Sequence, residues 1–342
     1  MEKIDFILTW VDGSDPRWLA EKRKFQGKDG ATNILDDSNT ACRYRPDIEL
    51  LRYWFRAVEE FSPWVNKIHF VTCGQKPDWL NENHPKLNLV NHKDYIPLEF
   101  LPTFNANTIE MNFHRIDGLS ERFVYFNDDI FLTSPVLPEF FFKKGVPVLT
   151  TDLRYYKGIG YNNWSRLIFN DYCLVNRNFN IRHAIWENKD KWFNVKVLGV
   201  KQAIRNFVCY KVNKTLPVGL YGHVAHPHLK STLQEIWEIF PDIMDQAMRH
   251  KFRSDDQVNQ WLMCAWNQAK GCFYPAHESK MGKNFSLSPD NVENVCEAIQ
   301  KQQFPQICIN DTKSNTEPER CTSKIIAAFE TLLPLKSTFE KE

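Results

Sequence analysis

The sequence predicts an α/β protein with a mostly parallel central sheet flanked by helices and a helix-rich C-terminal half. Three observations carry that expectation. Short apolar runs, "IDFILTW" (Ile4–Trp10), "KIHFVTC" (Lys67–Cys73), "LNLVNH" (Leu87–His92) and "RFVYF" (Arg122–Phe126), each give way to polar residues, as strands buried on both faces do. Helical patterns alternate with them up to residue 150, the rhythm of βαβ units. The chain has 342 residues, 43% of them apolar, enough for one large core or two modest ones.

Taken in order, "IDFILTW" ends in "VDGSDP", a turn that opens a helix over "PRWLAEKRKF", with Asp15 as N-cap and Pro16 in the first turn. "QGKDGATNILDDSN" (Gln26–Asn39) reads as a mobile loop. "PDIELLRYWFRAVEEF" places Ile48, Leu51, Phe55 and Val58 at helical spacing, with Asp47 and Glu49 at the positive end. "NANTIEMNFHRIDGL" predicts a helix capped by Asn107, answered by Glu110 and stopped at Gly118. Beyond Thr151 the chain turns helical: "LKSTLQEIWEIF", then "SDDQVNQWLMCAWNQA", where Val258, Leu262, Ala265 and Trp266 line one face. The expected organisation is an α/β region over 1–150, a helix-rich lid and acceptor region over 151–320 that completes the same domain, and a loosely docked tail over 321–342.

Composition excludes several classes. Lys plus Arg total 43 against 42 for Asp plus Glu, so no global field favours nucleic acid, and none is expected as a partner. Nine cysteines form no Cys-x-x-Cys pair; with no signal peptide ahead of Ile4, reduced thiols in a cytoplasm are expected. The sequons at Asn163, Asn213, Asn284 and Asn310 would matter only in a secreted chain. No apolar run approaches the ~18 residues of a membrane span. Walker A, Gly-x-Gly-x-x-Gly and Gly-x-Ser-x-Gly motifs are absent, against P-loop, dinucleotide and serine-hydrolase chemistry.

The chemistry-bearing residues gather behind strand-like runs, where open α/β sheets bind ligands. Asn127, Asp128 and Asp129 follow "RFVYF", and Asp12, Gly13 and Asp15 follow the first run. Paired carboxylates at a strand end can hold a divalent cation against a nucleotide's phosphates; a lone Asp-Asp more often caps the next turn, and "VDGSD" alone is an ordinary turn with a cap. His114 stands one helical turn after Glu110, with Arg115 next, as a functional pair or a surface one. "YGHVAHPH" offers His223, His226 and His228 as a general base or phosphate partner rather than zinc ligands, since His-Glu-x-x-His is missing. Arg253, with Asp255 and Asp256, can clamp phosphate or belong to a helix cap.

"IDFILTWVDGSDP", "RYRPDIELLRYWFRAVEEFSPWVNKIHFVTCGQKPDWL", "LPTFNANTIEMNFHRIDGLSERFVYFNDDIFL" and "GHVAHPH" followed by "FRSDDQ" resemble, in order, the four conserved blocks of the Stealth proteins. That family includes bacterial capsular polysaccharide phosphotransferases and the animal enzyme that starts the mannose-6-phosphate tag. The resemblance implies a GT-A-like fold, Mg2+ or Mn2+, and transfer of hexose-1-phosphate, often N-acetylhexosamine-1-phosphate. The donor would be a nucleotide-diphosphate sugar, expected to be UDP-linked, and the acceptor an oligo- or polysaccharide. It implies catalytic roles for His223, Arg253, Asp129 and His114, substrate binding by Asp12, Gly13, Asp15, Asn105, Glu110, Arg115, Asn127 and Asp256, and metal binding by Asp128 and Asp129. His223 falls in the third block and Arg253 with Asp256 in the fourth, where the spacing also leaves Asp255 open. A cytoplasmic enzyme, peripheral to capsule machinery at the inner face of the plasma membrane, is implied. A metal-dependent glycosyltransferase that releases nucleoside diphosphate, and a catalytically inert carbohydrate-binding protein, are the alternatives.

Overall fold

The computed structural model describes residues 2–26, 48–154, 163–212, 218–219, 222–311 and 316–341. The expected loop after Gln26, Cys42, the Pro46–Asp47 helix opening, Asn213 and Tyr221 lie outside them. The strands of three or more residues are β1 (Ile4–Thr9), β2 (Ile68–Thr72), β3 (Leu87–Asn91), β4 (Arg122–Phe126), β5 (Ile130–Leu132), β6 (Val146–Thr150), β7 (His226–Leu229), β8 (Tyr274–Ala276), β9 (Lys283–Leu287) and β10 (Gln306–Asp311). The helices that build the layers and the site are α1 (Pro16–Phe25), α2 (Ile48–Phe61), α3 (Ala106–Glu110), α4 (Asn163–Asn178), α5 (Val195–Val212), α6 (Lys230–Ile239), α7 (Trp261–Ala269) and α8 (Pro318–Leu332).

Five strands form the central sheet in the order β7-β4-β1-β2-β3; the last four run parallel and β7 is an antiparallel edge on β4. Alternation along each strand feeds two cores. Phe6 and Leu8 of β1 and Val124 and Phe126 of β4 pack with Trp54 and Phe55 of α2 and Phe329 of α8 on one face. Ile7, Phe123 and Tyr125 pack with α6 and α7 on the other. This is the expected α/β fold, with a mostly parallel sheet between helical layers. A second sheet, β9-β10-β5, leans on it through β5. No helix among the described residues is long and apolar enough to cross a membrane.

Asp15 caps α1 as expected, its side chain accepting from Arg17 N at 2.8 Å, with Pro16 at the start. Elsewhere tertiary contacts override the pattern. The helix expected from Asn107 is a single turn, α3, capped by Asn105 (Asn107 N to Asn105 Oδ1, 3.1 Å) and followed by a 3-10 turn over Phe113–Arg115. Glu110 does not reach back to a cap; its carboxylate turns inward. Helix α7 has no exposed face: every residue from Trp261 to Ala269 is buried.

The C-terminal residues are firmly docked. Phe339 packs on Phe55, with ring centroids 5.3 Å apart. Arg56 of α2 makes a bidentate pair with the buried Glu340 (Nε–Oε1 2.8 Å, Nη2–Oε2 3.1 Å) and donates to the Leu333 carbonyl at 2.9 Å. Burial alone would raise the Glu340 carboxyl, but hydrogen bonds from Arg56 and from Ser337 N hold it below its ordinary value. Glu340→Ala should therefore cost about 3 kcal/mol at neutral pH, because it removes the buried partner of this guanidinium and leaves it only the more exposed Glu330 carboxylate, 3.1 Å away. The denaturant midpoint reads this, and the difference from wild type should narrow as pH falls through the lowered Glu340 value.

Candidate active site

The loops after β1 and β4 meet at the carboxyl end of the sheet, where Leu8 pairs with Phe126. Gln75, in the loop after β2, pins the first of them. Its Oε1 accepts from Asp12 N at 2.8 Å, and its Nε2 donates to Asp12 O and Asp15 Oδ2, both at 3.0 Å. Gly74 makes that turn possible: its φ is 102°, and a Cβ there would lie 2.7 Å from Asn91 Nδ2. The Asp12 carboxylate accepts from Ser14 N at 2.8 Å and Ser14 Oγ at 2.6 Å. Hydrogen bonding by Gln75 and the cap to Arg17 N lower the Asp15 carboxyl. Both acids shape the turn around Gly13.

The centre of the site is Glu110. Its Oε1 accepts from the Tyr125 hydroxyl at 3.0 Å, and that hydroxyl also lies 3.0 Å from Thr9 Oγ1. Burial pushes the Glu110 carboxyl up to about 7, although the charges of Arg253 and His223 and hydrogen bonds from Tyr125 and Gln260 N pull the other way. Glu110, Arg253 and His223 thus share one electrostatic neighbourhood. Asp128 also joins it, through its effect on the buried Tyr125 hydroxyl.

At the rim, His223 Nε2 lies 3.6 Å from Asp129 Oδ1. Cys308, from β10, donates its thiol to Asp129 Oδ2 at 3.3 Å. One donor atom from each of Asp129, His223 and Cys308 lies within 4.8 Å of the others. A carboxylate, an imidazole and a thiol at this spacing fit a divalent cation. Of the expected Asp128–Asp129 pair, Asp129 belongs to this group and Asp128 is not among the donors gathered there. Asn127 supports the turn, its carbonyl accepting from Ile130 N at 3.1 Å.

Strand β7 separates the histidines. His226 and His228, two residues apart, both point into the interior, and burial lowers them to about 4 and about 3. His226 Nε2 donates to Gly222 O at 2.8 Å, and His228 Nε2 lies 3.3 Å from Gln260 Oε1. Only His223 of the three stands at the rim.

Other expected site residues lie elsewhere. The His114 ring packs on Trp237 of α6 at 5.9 Å and Arg115 stacks on the same indole at 4.7 Å. Burial, helped by Arg115 and Lys230, drives His114 down to about 3. Lys230 N bonds Glu121 O, just ahead of β4, so this cluster sits at the amino end of the sheet, away from Asp129. His114 therefore does not pair with Glu110. Asn105 is wholly buried; its amide donates to His250 O, Phe252 O and Gln257 Oε1 at 3.0–3.1 Å, so it holds the Arg253 loop and cannot touch substrate. Asp256 faces outward, bonded to His250 Nε2 at 3.0 Å and Ser254 Oγ at 2.5 Å, while Asp255 pairs with Arg166 of α4.

Gln75, Tyr125, Cys308 and Asp171 are the parts that sequence reasoning missed. Asp171 of α4 is fully buried near Glu110; Asn259 N bonds its Oδ1 at 3.1 Å, and its Oδ2 has no hydrogen-bond partner. Burial, with the Glu110 charge adding to it, pushes its carboxyl well above the ordinary range despite the Asn259 bond. The Asn-Asp-Asp motif could have pointed to Tyr125, which lies two residues before it on the strand; no local pattern marks the other three.

Fold and site together define an α/β protein that gathers acids, an imidazole and a guanidinium at the carboxyl edge of its sheet. Its lineage is plain from comparison. Residues 2–30, 43–148 and 222–269 match the models of Stealth protein conserved regions 1, 2 and 3. The capsular polysaccharide phosphotransferase WcwK of Streptococcus pneumoniae is 39% identical over 346 residues, covering 100% of both chains. The receptor polysaccharide phosphotransferase WefC of Streptococcus oralis is 38% identical, covering 99% of this chain and 100% of its own. An active-site mutant of LgtC aligns over 94% of each chain at a TM-score of 0.33 and 10% identity, a likeness too slight to carry weight. The chain belongs to the Stealth protein family. His223 and Arg253 fall within one region, 222–269, rather than in a third and a fourth.

The raised Glu110 carboxyl makes a signed prediction. The unfolded chain releases this proton near pH ~4.3, whereas the folded chain keeps it to about 7, so ionising Glu110 destabilises the fold as pH rises between those values. Glu110→Gln should gain stability relative to wild type between pH 5 and pH 8; equal differences in denaturant midpoint at both would refute the assignment.

Proposed function

We propose that the chain is a polysaccharide phosphotransferase that moves a sugar-1-phosphate from a nucleotide-diphosphate sugar to a glycan hydroxyl. The relatives named above support the reaction class. The observation that supports the site is the grouping of Asp129, His223, Glu110 and Arg253 at one strand edge. Sugar-1-phosphate transfer needs a base for the acceptor hydroxyl and positive charge around the phosphorus, and these residues supply both.

In this reading, the His223 imidazole takes the acceptor's proton as the acceptor oxygen bonds to the phosphorus that carries the sugar. The bond from that phosphorus to the bridging oxygen breaks, and nucleoside monophosphate leaves with the electron pair. The sugar's anomeric C–O bond is untouched, so its configuration is retained. Arg253 grips the phosphate oxygens through its planar fork. Glu110 shares its electrostatic neighbourhood with Arg253 and His223. A Mg2+ or Mn2+ ion held by Asp129 would neutralise charge on the diphosphate.

Asp129→Asn and His223→Ala should each lower transfer by ~100-fold or more with circular dichroism melts unchanged. Wild-type rates in either variant remove that residue from the site. Chelation should stop turnover, and Mg2+ or Mn2+ should restore it. The released nucleotide is the decisive measurement: monophosphate, with a phosphodiester in the product's phosphorus NMR spectrum, supports phosphotransfer, whereas diphosphate shows a glycosyltransferase.

A further inference from the structure

Helix α5 is built inside out. Its buried side carries amides: Gln202 Nε2 donates to Thr151 O at 3.0 Å, and Asn206 Nδ2 donates to Thr151 O at 2.6 Å and Trp192 O at 2.8 Å. Asn206 Oδ1 also accepts from Leu153 N at 3.0 Å. Ala203 and Cys209 share that buried side, but four larger apolar side chains face water. Val200, Ile204 and Val208, one turn apart, are 61%, 58% and 47% exposed, and Phe207 beside them is 43% exposed. Gly199, with φ 74°, breaks the helix just ahead of Val200, so the exposed stripe belongs to one straight rod.

The charge on this helix has one sign. Between Val195 and Val212 stand Lys196, Lys201, Arg205 and Lys211, and no acid. Arg205 pairs inward with Asp152, and the three lysines are exposed. The nearest acids along the chain, Glu187 and Asp190, precede the helix. At the border of the stripe, Trp186 stacks on Tyr210 at 5.9 Å, with Lys189 Nζ 5.1 Å and Lys211 Nζ 5.9 Å from its ring.

We propose that this face docks on an anionic lipid bilayer. Apolar side chains flanked by lysines, with a tryptophan at the border, suit a helix lying in the plane of the headgroups. Val200, Ile204, Phe207 and Val208 enter the acyl boundary, while the lysines reach the lipid phosphates with their stems along the surface. A second copy of the chain is a poorer occupant. A two-fold contact would set the lysines of one helix against those of its copy, with no acid of either helix to balance them. None of these side chains belongs to the Asp129 centre, so membrane binding and transfer can fail independently.

Flotation of the full chain with vesicles tests this. Vesicles of phosphatidylcholine mixed with phosphatidylglycerol should carry the protein up, phosphatidylcholine alone should not, and added salt should weaken the binding. Lys201→Glu should cost about fivefold or more in partitioning. Val200→Glu with Ile204→Glu should abolish flotation, while the melting curve stays as in wild type because both side chains are more than half exposed. Wild type that ignores anionic vesicles, or the double variant floating as well as wild type, overturns the proposal. So does a dimer in sedimentation velocity that the double variant dissolves while wild type leaves vesicles untouched.

Discussion

The hydroxyl of Tyr125 joins the sheet to the chemistry. It bridges Thr9 on β1 and Glu110 on α3, both at 3.0 Å, inside a core where an unpaired polar group costs about 1–3 kcal/mol. Burial drives the Tyr125 hydroxyl well above its ordinary range, so it stays a donor and holds Glu110 in one place. Through Glu110 that constraint extends to Arg253 and His223, which arrive from much later in the chain. A carboxyl poised near neutrality between a guanidinium and an imidazole is sensitive to small changes around it, and a rigid rung of hydrogen bonds suits such a site.

The Arg253 loop depends on a second buried network. Gln257 Oε1 accepts from Asn105 Nδ2, Asn107 Nδ2 and Ser254 N, and its Nε2 donates to Ala247 O. Residues of the second family region therefore set the shape of a loop in the third. The network explains why Asn105, for which the resemblance implied substrate binding, is sealed in the interior. It acts on Arg253 only through the backbone it holds.

Elements whose burial follows from their own residues were legible in the sequence. β1, β2 and β4 are apolar at nearly every position because they lie between two helical layers, and Asp15–Pro16 announces α1. Elements defined by distant partners were not. "HPHL" carries no strand alternation, yet it becomes β7 because β4 offers an open edge. Helix α7 sits between the sheet and α4, so its polar residues Asn267 and Gln268 are buried along with the apolar ones. The tail carries a charged sequence, and only the fold reveals that Arg56 waits for Glu340. In the site, the acids at strand ends were visible as a motif, whereas which of them faces inward depends on Gln75, Tyr125 and Cys308, each supplied by another part of the chain.

Strand β10 shows why the second half cannot be a detached accessory. Ile309 N donates to the Asp129 carbonyl at 2.8 Å while Cys308 bonds its carboxylate at 3.3 Å, so residues outside the three matched family regions grip the central acid by both backbone and side chain. A thiol is a weak, neutral donor. It orients the carboxylate without cancelling the charge that a cation needs, which a lysine in its place would do. In the proposed reading a hard ion such as Mg2+ or Mn2+ would be held by the Asp129 oxygens and leave the thiol in that supporting role, whereas a softer ion would also take Cys308 and His223. On the same proposal, the difference between the two falls on His223, which a soft ion would occupy and a hard ion would leave available as the base.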